Sequence, residues 1–366
     1  MTRSTSAVTA YFRTRLLCLN LRIRPETGPI AVRYPSEKAE VMITFVPLDP
    51  VPGEIGYTME ATVVSRRAIP GQPGQDLQVL AEQRLPPGSR VEPSHLADPE
   101  VQRSYFESGC PPLDVLPPHL DALFTGVHTM HNAAARRTVQ LLRWRHGFEV
   151  PTEPLGLMVA EWSLDQETWQ MMSARGRGRV RASLRDLGPS ASKRMVEVQR
   201  LLDAGCEMPV GHELLAEAEE YAFVSVRSAL VLSLAALEVG FKGLVSNLVP
   251  AAGWLVAEVP SPPLEKMLRD YLPLLPKAME VKAGEGDTLT VTVLDEVRKA
   301  ILLRNNLVHT GKAKIDGRWL DSWLNLCRDL LYLFDFYQGH SWALRQIEGP
   351  PGRLAGLLRQ QGSPSA

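Results

Sequence analysis

Cleaving RNA without a metal makes three chemical demands. The ribose 2′-OH must lose a proton as it attacks phosphorus, the leaving 5′-oxygen must gain one, and the charged phosphorane must be stabilised. A histidine moves protons near neutrality because its ordinary pKa is about 6.5. An arginine stays charged, and its planar fork matches phosphate oxygens. Both types occur in Leu303-Arg304-Asn305-Asn306-Leu307-Val308-His309-Thr310-Gly311. Spacing alone says little: with eight His in the chain, an Arg-x4-His pair is expected roughly once by chance. Arg90-Val91-Glu92-Pro93-Ser94-His95 has the same spacing but sits in a Pro-containing connector where nothing fixes its geometry, so it is assigned no role.

Context separates the two pairs. Leu294, Val297 and Ile301 form an apolar helical stripe, and continuing it by three or four residues lands on Arg304 and Asn305, then on Val308 and His309. Polar groups thus replace apolar ones where burial should continue. An arginine there needs a partner helix, a polar cleft or a second protomer, because an unpaired buried charge is costly. Arg304 and His309 stand about 140° apart on an ideal helix. Their convergence requires the long Arg side chain, a helix end near Gly311, or a symmetry mate. Asn305 shares a face with His309 and is read as its orienter, as a phosphate contact, or as an ordinary polar helix-end residue. Glu238 is either a partner of Arg304 or half of a surface pair with Lys242, four residues on. Ser233 reads as a small packing residue.

The segment resembles the Arg-x(4–6)-His signature of the HEPN superfamily, in its form with Asn directly after the Arg. Upstream, Ser228-Ala229-Leu230-Val231-Leu232-Ser233-Leu234-Ala235-Ala236-Leu237-Glu238 is similar to the long helix ending in Ala-Leu-Glu of Apea-like HEPN domains. The resemblance covers residues 212–340. It implies a helical bundle and a homodimer whose two motifs line one cleft. It also implies metal-independent endoribonuclease activity with Arg304 and His309 catalytic and Asn305 and Glu238 supporting. It further implies RNA as substrate, with a role as a toxin or phage-defence effector under an antitoxin or regulatory protein. The competing expectation is a non-catalytic HEPN-like module for dimerisation or for binding nucleotide or RNA. No cofactor and no metal is expected under either.

Other constellations carry less. Arg175, Arg177, Arg179 and Arg181 lie in a Gly-punctuated run that suits either a phosphate backbone or a solvated linker. Arg136, Arg137, Arg143 and Arg145 flank Trp144, a mix that binds RNA or simply marks a solvated helix face. His128 and His131 lack a carboxylate or Cys at metal-ligand spacing. No Walker A, G-x-G-x-x-G or G-x-S-x-G pattern is present. A formal net charge of −1 gives no global pull toward nucleic acid, so any RNA surface must be local. Four scattered cysteines, no signal-peptide core, and apolar runs judged too short to span a bilayer predict a soluble cytoplasmic protein without a membrane partner.

The elements that must position the motif follow from periodicity. A chain of 366 residues exceeds one core. An α+β chain is expected: a β-rich N-terminal domain over 1–117, a helix with short strands and a basic linker over 118–210, a HEPN-like helical bundle over 211–347, and a flexible tail over 348–366. Strands are expected at Leu17, Leu19, Leu21 and Ile23, at 41–46 and at 57–64, with an extended connector over 86–118. A helix is expected over 118–146, two short strands about a turn at Asp165-Gln166, and a helix over 191–204. The bundle should hold helices over 212–247, 264–272, 289–308 and 318–347, the first broken at Pro250 and the third stopped by Gly311.

Overall fold

The computed structural model describes residues 7–18, 21–22, 27–37, 39–47, 59–107, 109–147, 155–172, 185–186, 190–258, 263–280, 288–311, 313–347 and 358–359. The chain is α+β, with an antiparallel sheet in its N-terminal part and a helical C-terminal part. It divides into two compact units. One comprises residues 1–143 and 153–207; the other comprises 144–152 and 208–366. The expected segment 118–210 is therefore divided between the units: 118–143 and 153–207 belong to the first, where the strands Leu155–Ser163 and Gln170–Met171 join the N-terminal sheet, and 144–152 and 208–210 belong to the second.

In the first unit, β1 (Val8–Cys18), β2 (Ile30–Tyr34), β3 (Glu40–Pro47), β4 (Met59–Ile69), β5 (Leu155–Ser163) and β6 (Gln170–Met171) form one sheet in the order β2-β3-β4-β1-β5-β6. β1 lies centrally, antiparallel to both β4 and β5. The buried face of β1 is Ala10, Phe12, Thr14, Leu16 and Cys18. That corrects the expected strand through Leu17, Leu19, Leu21 and Ile23: Leu17 sits on the opposite face, β1 ends at Cys18, and Leu19 and Ile23 lie outside the described residues. With a period of two, a one-residue error exchanges the faces. α1 (Gln72–Ala81) and α2 (Pro118–His146) supply Leu77, Leu80, Leu120, Phe124 and Val127 to the core against Phe12 and Trp162. α1 starts within a Pro-Gly-rich stretch: Pro73 occupies its first turn, where its missing N–H costs nothing. The connector is also more ordered than expected, with short helices at Pro93–Ala97 and Pro99–Ser104. α3 (Ala191–Asp203) closes an edge, where Gln199 accepts from the Arg33 amide at 2.7 Å and donates to the Arg33 carbonyl at 2.8 Å. The turn before β6 has Gln166 at φ 68, while Asp165 accepts from the amides of Glu167 and Thr168, each at 2.8 Å.

The second unit is a bundle of α4 (Val210–Ala222), α5 (Val226–Leu248), α6 (Val291–Thr310) and α7 (Gly317–Tyr337). The expected helix over 212–247 is two helices. Ser225 ends the first run by capping the second, accepting from the Ser228 amide at 3.3 Å. The expected helix over 318–347 stops at Tyr337, because Gly339 takes φ 107. Leu230, Leu234, Leu237 and Phe241 of α5 meet Leu320, Trp323, Cys327, Leu330 and Phe334 of α7 in a common buried core. Gly211 and Gly240 bring α4 and α5 close: a Cβ on Gly211 would lie 3.0 Å from the Ala236 carbonyl oxygen, and one on Gly240 would collide with Leu331. By length and composition α5 is apolar enough to cross a membrane, contrary to expectation, but half of its most apolar stretch is buried within the bundle. Between residues 263 and 274 the chain is irregular, passing from a helical turn at Leu264–Lys266 through a π turn to a 3-10 turn.

Candidate RNA-processing site

α6 is fixed at both ends. Thr290 caps its start by accepting from the Val293 amide at 3.3 Å, and Gly311, at φ 67, donates its N–H to the Leu307 carbonyl at 2.9 Å. Its buried residues are Val293, Leu294, Val297 and Ala300; none after Ala300 is fully buried. The apolar stripe therefore gives out just before the motif begins.

Arg304 is positioned where that stripe ends. Its Nη2 donates to Glu238 Oε1 at 3.2 Å, with 24% of the Arg side chain and 14% of the Glu side chain exposed. Its Nε is buried and has no hydrogen-bond partner among the described residues. Glu238 projects from α5, so the cross-helix partnership with Arg304 is realised. Asn305 is half-buried, and His309 is exposed in the last turn of α6. Among the described residues, no hydrogen bond joins Arg304 to His309 within the chain. The angular separation expected along the helix persists, and His309 is left facing solvent. Thr310 donates to the Asn306 carbonyl at 2.6 Å, tightening the turn that carries His309.

Ser233 lies beneath this site, fully buried, and does more than fill space. It donates to the Leu230 carbonyl at 2.9 Å and accepts from the Trp323 indole at 2.8 Å, which ties α5 to α7. A buried centre that sequence reasoning missed lies elsewhere in the bundle. Asp335, 2% exposed, accepts through one oxygen from Trp144 Nε1 at 2.7 Å and His212 Nε2 at 2.8 Å. No local signal announces it, because its partners are separated by 191 and 123 positions.

Arg175, Arg177, Arg179 and Arg181 lie outside the described residues. Of the cations flanking Trp144, Arg137 donates to the carbonyls of Gly205 and Cys206, each at 2.8 Å, and Arg145 lies 4.8 Å over the Trp342 ring; Trp144 is 2% exposed. His95 of the other Arg-x4-His pair packs with Tyr105, its Nδ1 2.9 Å from the phenol oxygen, and Arg90 lies 3.5 Å from Asp121. His131 is wholly buried in the first unit, Nδ1 2.7 Å from Thr14 Oγ1 and Nε2 2.7 Å from Ser65 Oγ. Burial, with the charges of His128 and Arg67 adding to it, pushes its pKa down to about 3. Among the described residues no three His, Cys, Asp or Glu side chains converge as metal ligands. Comparison with family models, curated proteins and solved structures finds no match to this chain.

Proposed function

We propose that the C-terminal bundle is a metal-independent endoribonuclease of the HEPN type, acting in the cytosol as a toxin or phage-defence effector. The observation that carries this reading is Arg304, held by Glu238 where the buried stripe of α6 ends, with His309 exposed one turn beyond. Glu238 uses one of the five guanidinium donors, so a partly exposed edge of Arg304 can take a phosphate oxygen. His309 moves the protons: it takes one from the 2′-OH and a histidine returns one to the departing 5′-oxygen. Arg304 stabilises the phosphorane. Atoms balance with a 2′,3′-cyclic phosphate on one fragment and a 5′-hydroxyl on the other. Since Arg304 and His309 do not meet within one chain, a second copy supplies the complementary half of the cleft, with Asn305 orienting His309. An antitoxin or regulatory protein would restrain it.

The test is incubation of the purified full chain with a structured RNA in EDTA, with analysis of product ends. Cleavage that survives chelation, leaves 2′,3′-cyclic phosphate and is carried by a species of twice the chain mass in light scattering is expected. Loss of cleavage in EDTA with recovery on adding Mg²⁺ or Mn²⁺ would sink the mechanism. The alternative, a non-catalytic module that dimerises or binds nucleotide or RNA, is favoured by the exposure of His309 without a partner that fixes its ring; RNA binding without cleavage across many RNAs would select it.

A further inference from the structure

The direction of the helices around Arg304 gives the turn of α5 that stands level with His309 along the bundle. Ser233 of α5 meets Trp323 of α7, and further along both helices Phe241 meets Phe334, with ring centroids 5.7 Å apart. α5 and α7 therefore run in the same sense. On α6, Glu296 accepts from the Trp319 indole at 2.6 Å, and Trp319 lies one turn before Trp323. Eight residues later on α6, Arg304 reaches Glu238, which lies beyond Ser233 on α5. Progress along α6 is thus progress along α5. His309 lies five residues past Arg304, about 7.5 Å farther along the axis. The matching step on α5, one turn past Glu238, arrives at Lys242 and Gly243. Lys242 is half-buried and Gly243 exposed, and a Cβ built on Gly243 meets nothing within 4 Å. Val239, on the same flank, is 37% exposed.

Resting on the ribonuclease reading, we infer that the RNA strand passes the Arg304/His309 site across the Lys242–Gly243 turn of α5, with Lys242 holding the phosphate next to the scissile one. Glu238 offsets part of the Arg304 charge, so the strand needs a second cation on its path, and Lys242 is four residues from Glu238 on the same face. Gly243 leaves the helix surface bare where the sugar–phosphate chain must lie close. The flank is formed by α5 and by the end of α6, and the charged or titratable groups named on it are Glu238, Lys242, Arg304 and His309.

The experiment measures binding of a fluorescent single-stranded RNA oligonucleotide of mixed sequence by anisotropy across a salt series. It uses the full chain carrying His309→Ala, so that cleavage does not intervene. Adding Lys242→Gln is expected to weaken binding several-fold and to lower the slope of log K against log salt by about 0.7, the share of one phosphate contact on a single strand. Gly243→Glu is expected to weaken it at least as much, and Gly243→Lys to tighten it. Neither Gly243 change should lower the melting temperature, because the site is open and a helix-interior glycine is itself unfavourable. Arg227→Glu, about 22 Å back along α5, is expected to bind like the parent.

Parental affinity and slope in both Lys242→Gln and Gly243→Glu would overturn the path, as would equal loss in Arg227→Glu or no RNA binding by the His309→Ala parent. The two ideas fail separately. Cleavage by the otherwise unchanged protein, with binding indifferent to Lys242 and Gly243, rejects the path alone. Binding that depends on them, without cleavage by the unchanged protein, rejects the ribonuclease alone.

Discussion

Arg304 differs from Arg298, the other arginine of α6, in how it is held. Arg298 is roughly half exposed and shares Asp295 and Glu265 at the surface. Arg304 is half-buried, has one carboxylate partner, and keeps donors unused. A preorganised cation of this kind typically contributes about 10²–10³ in rate, and a positioned proton-transfer group about 10²–10⁴. On the proposed ribonuclease mechanism, in which both would act on one phosphate, Arg304→Ala and His309→Ala are each expected to nearly abolish cleavage, and the double variant to be little worse. Arg304→Lys should also fail, since a point charge cannot reproduce the fork. Steady-state cleavage and thermal melting, measured together, check this; full activity in a folded His309→Ala protein would remove the mechanism. The end of the buried stripe at Arg304 was legible in the sequence, because polar groups interrupt the apolar spacing there. Which residue Glu238 contacts was not: its neighbour Lys242 is decided by local spacing, whereas Arg304 is decided by how α6 lies on α5.

Among the elements, helices with a strong 3-4 pattern were legible, and their breaks were less so. α2 runs over Pro118–His146 as expected, and the 3-4 spaced stripe of α7, Leu320, Trp323, Cys327, Leu330, Phe334 and Tyr337, is buried throughout. The break between α4 and α5 hid in Tyr221-Ala222-Phe223-Val224-Ser225, where apolar residues continue the helical pattern although Phe223 is 92% exposed. Only the capping serine marks the stop. β1 was misread for a different reason. The alternation from Leu17 to Ile23 put Leu17 on the inner face, whereas that face is Ala10, Phe12, Thr14, Leu16 and Cys18, a set whose apolar spacing is broken by Thr14, buried with its hydroxyl 2.7 Å from His131 of α2. In the bundle, Asp335 of α7 holds Trp144 and His212 together. Removing its carboxylate leaves two buried donors without an acceptor, at about 1–3 kcal/mol each. Asp335→Ala is thus expected to lower the stability of the second unit by about 2–5 kcal/mol, read as the urea midpoint of a transition followed by tryptophan fluorescence. A loss under about 1 kcal/mol would mean that the Trp144 and His212 N–H groups find other acceptors.

At the scale of the whole molecule, the two units put their buried polar groups to different use. The second unit buries an acceptor between two donors, whereas the first buries a neutral histidine between two hydroxyls, Thr14 and Ser65. The latter arrangement ties the first unit's stability to pH. His131 has its folded-state pKa pushed down to about 3, mainly by burial. The unfolded chain carries an ordinary imidazole that titrates near pH 6.5. Between these values the unfolded state binds the extra proton, so protons favour unfolding. The stabilising contribution is complete above about pH 6.5 and declines as pH falls toward 3, by at most about 1.4 kcal/mol per pH unit for one group. His128, also lowered by burial, acts with the same sign. Asp165, whose pKa is lowered to about 2 by the amides of Thr168 and Glu167, gives a stabilising contribution that is lost only as pH drops below the ordinary carboxylate range. A comparison confined to pH 5–7 therefore isolates the histidines. Calorimetry of the full chain should show the transition of the first unit moving down steadily from pH 7 to pH 5. His131→Gln should start lower at pH 7, because Thr14 and Ser65 lose a well-placed partner, and should fall less steeply with acid, because the variant has no proton to gain at that position. A slope as steep in His131→Gln as in the unchanged protein would show that some other group takes up the proton.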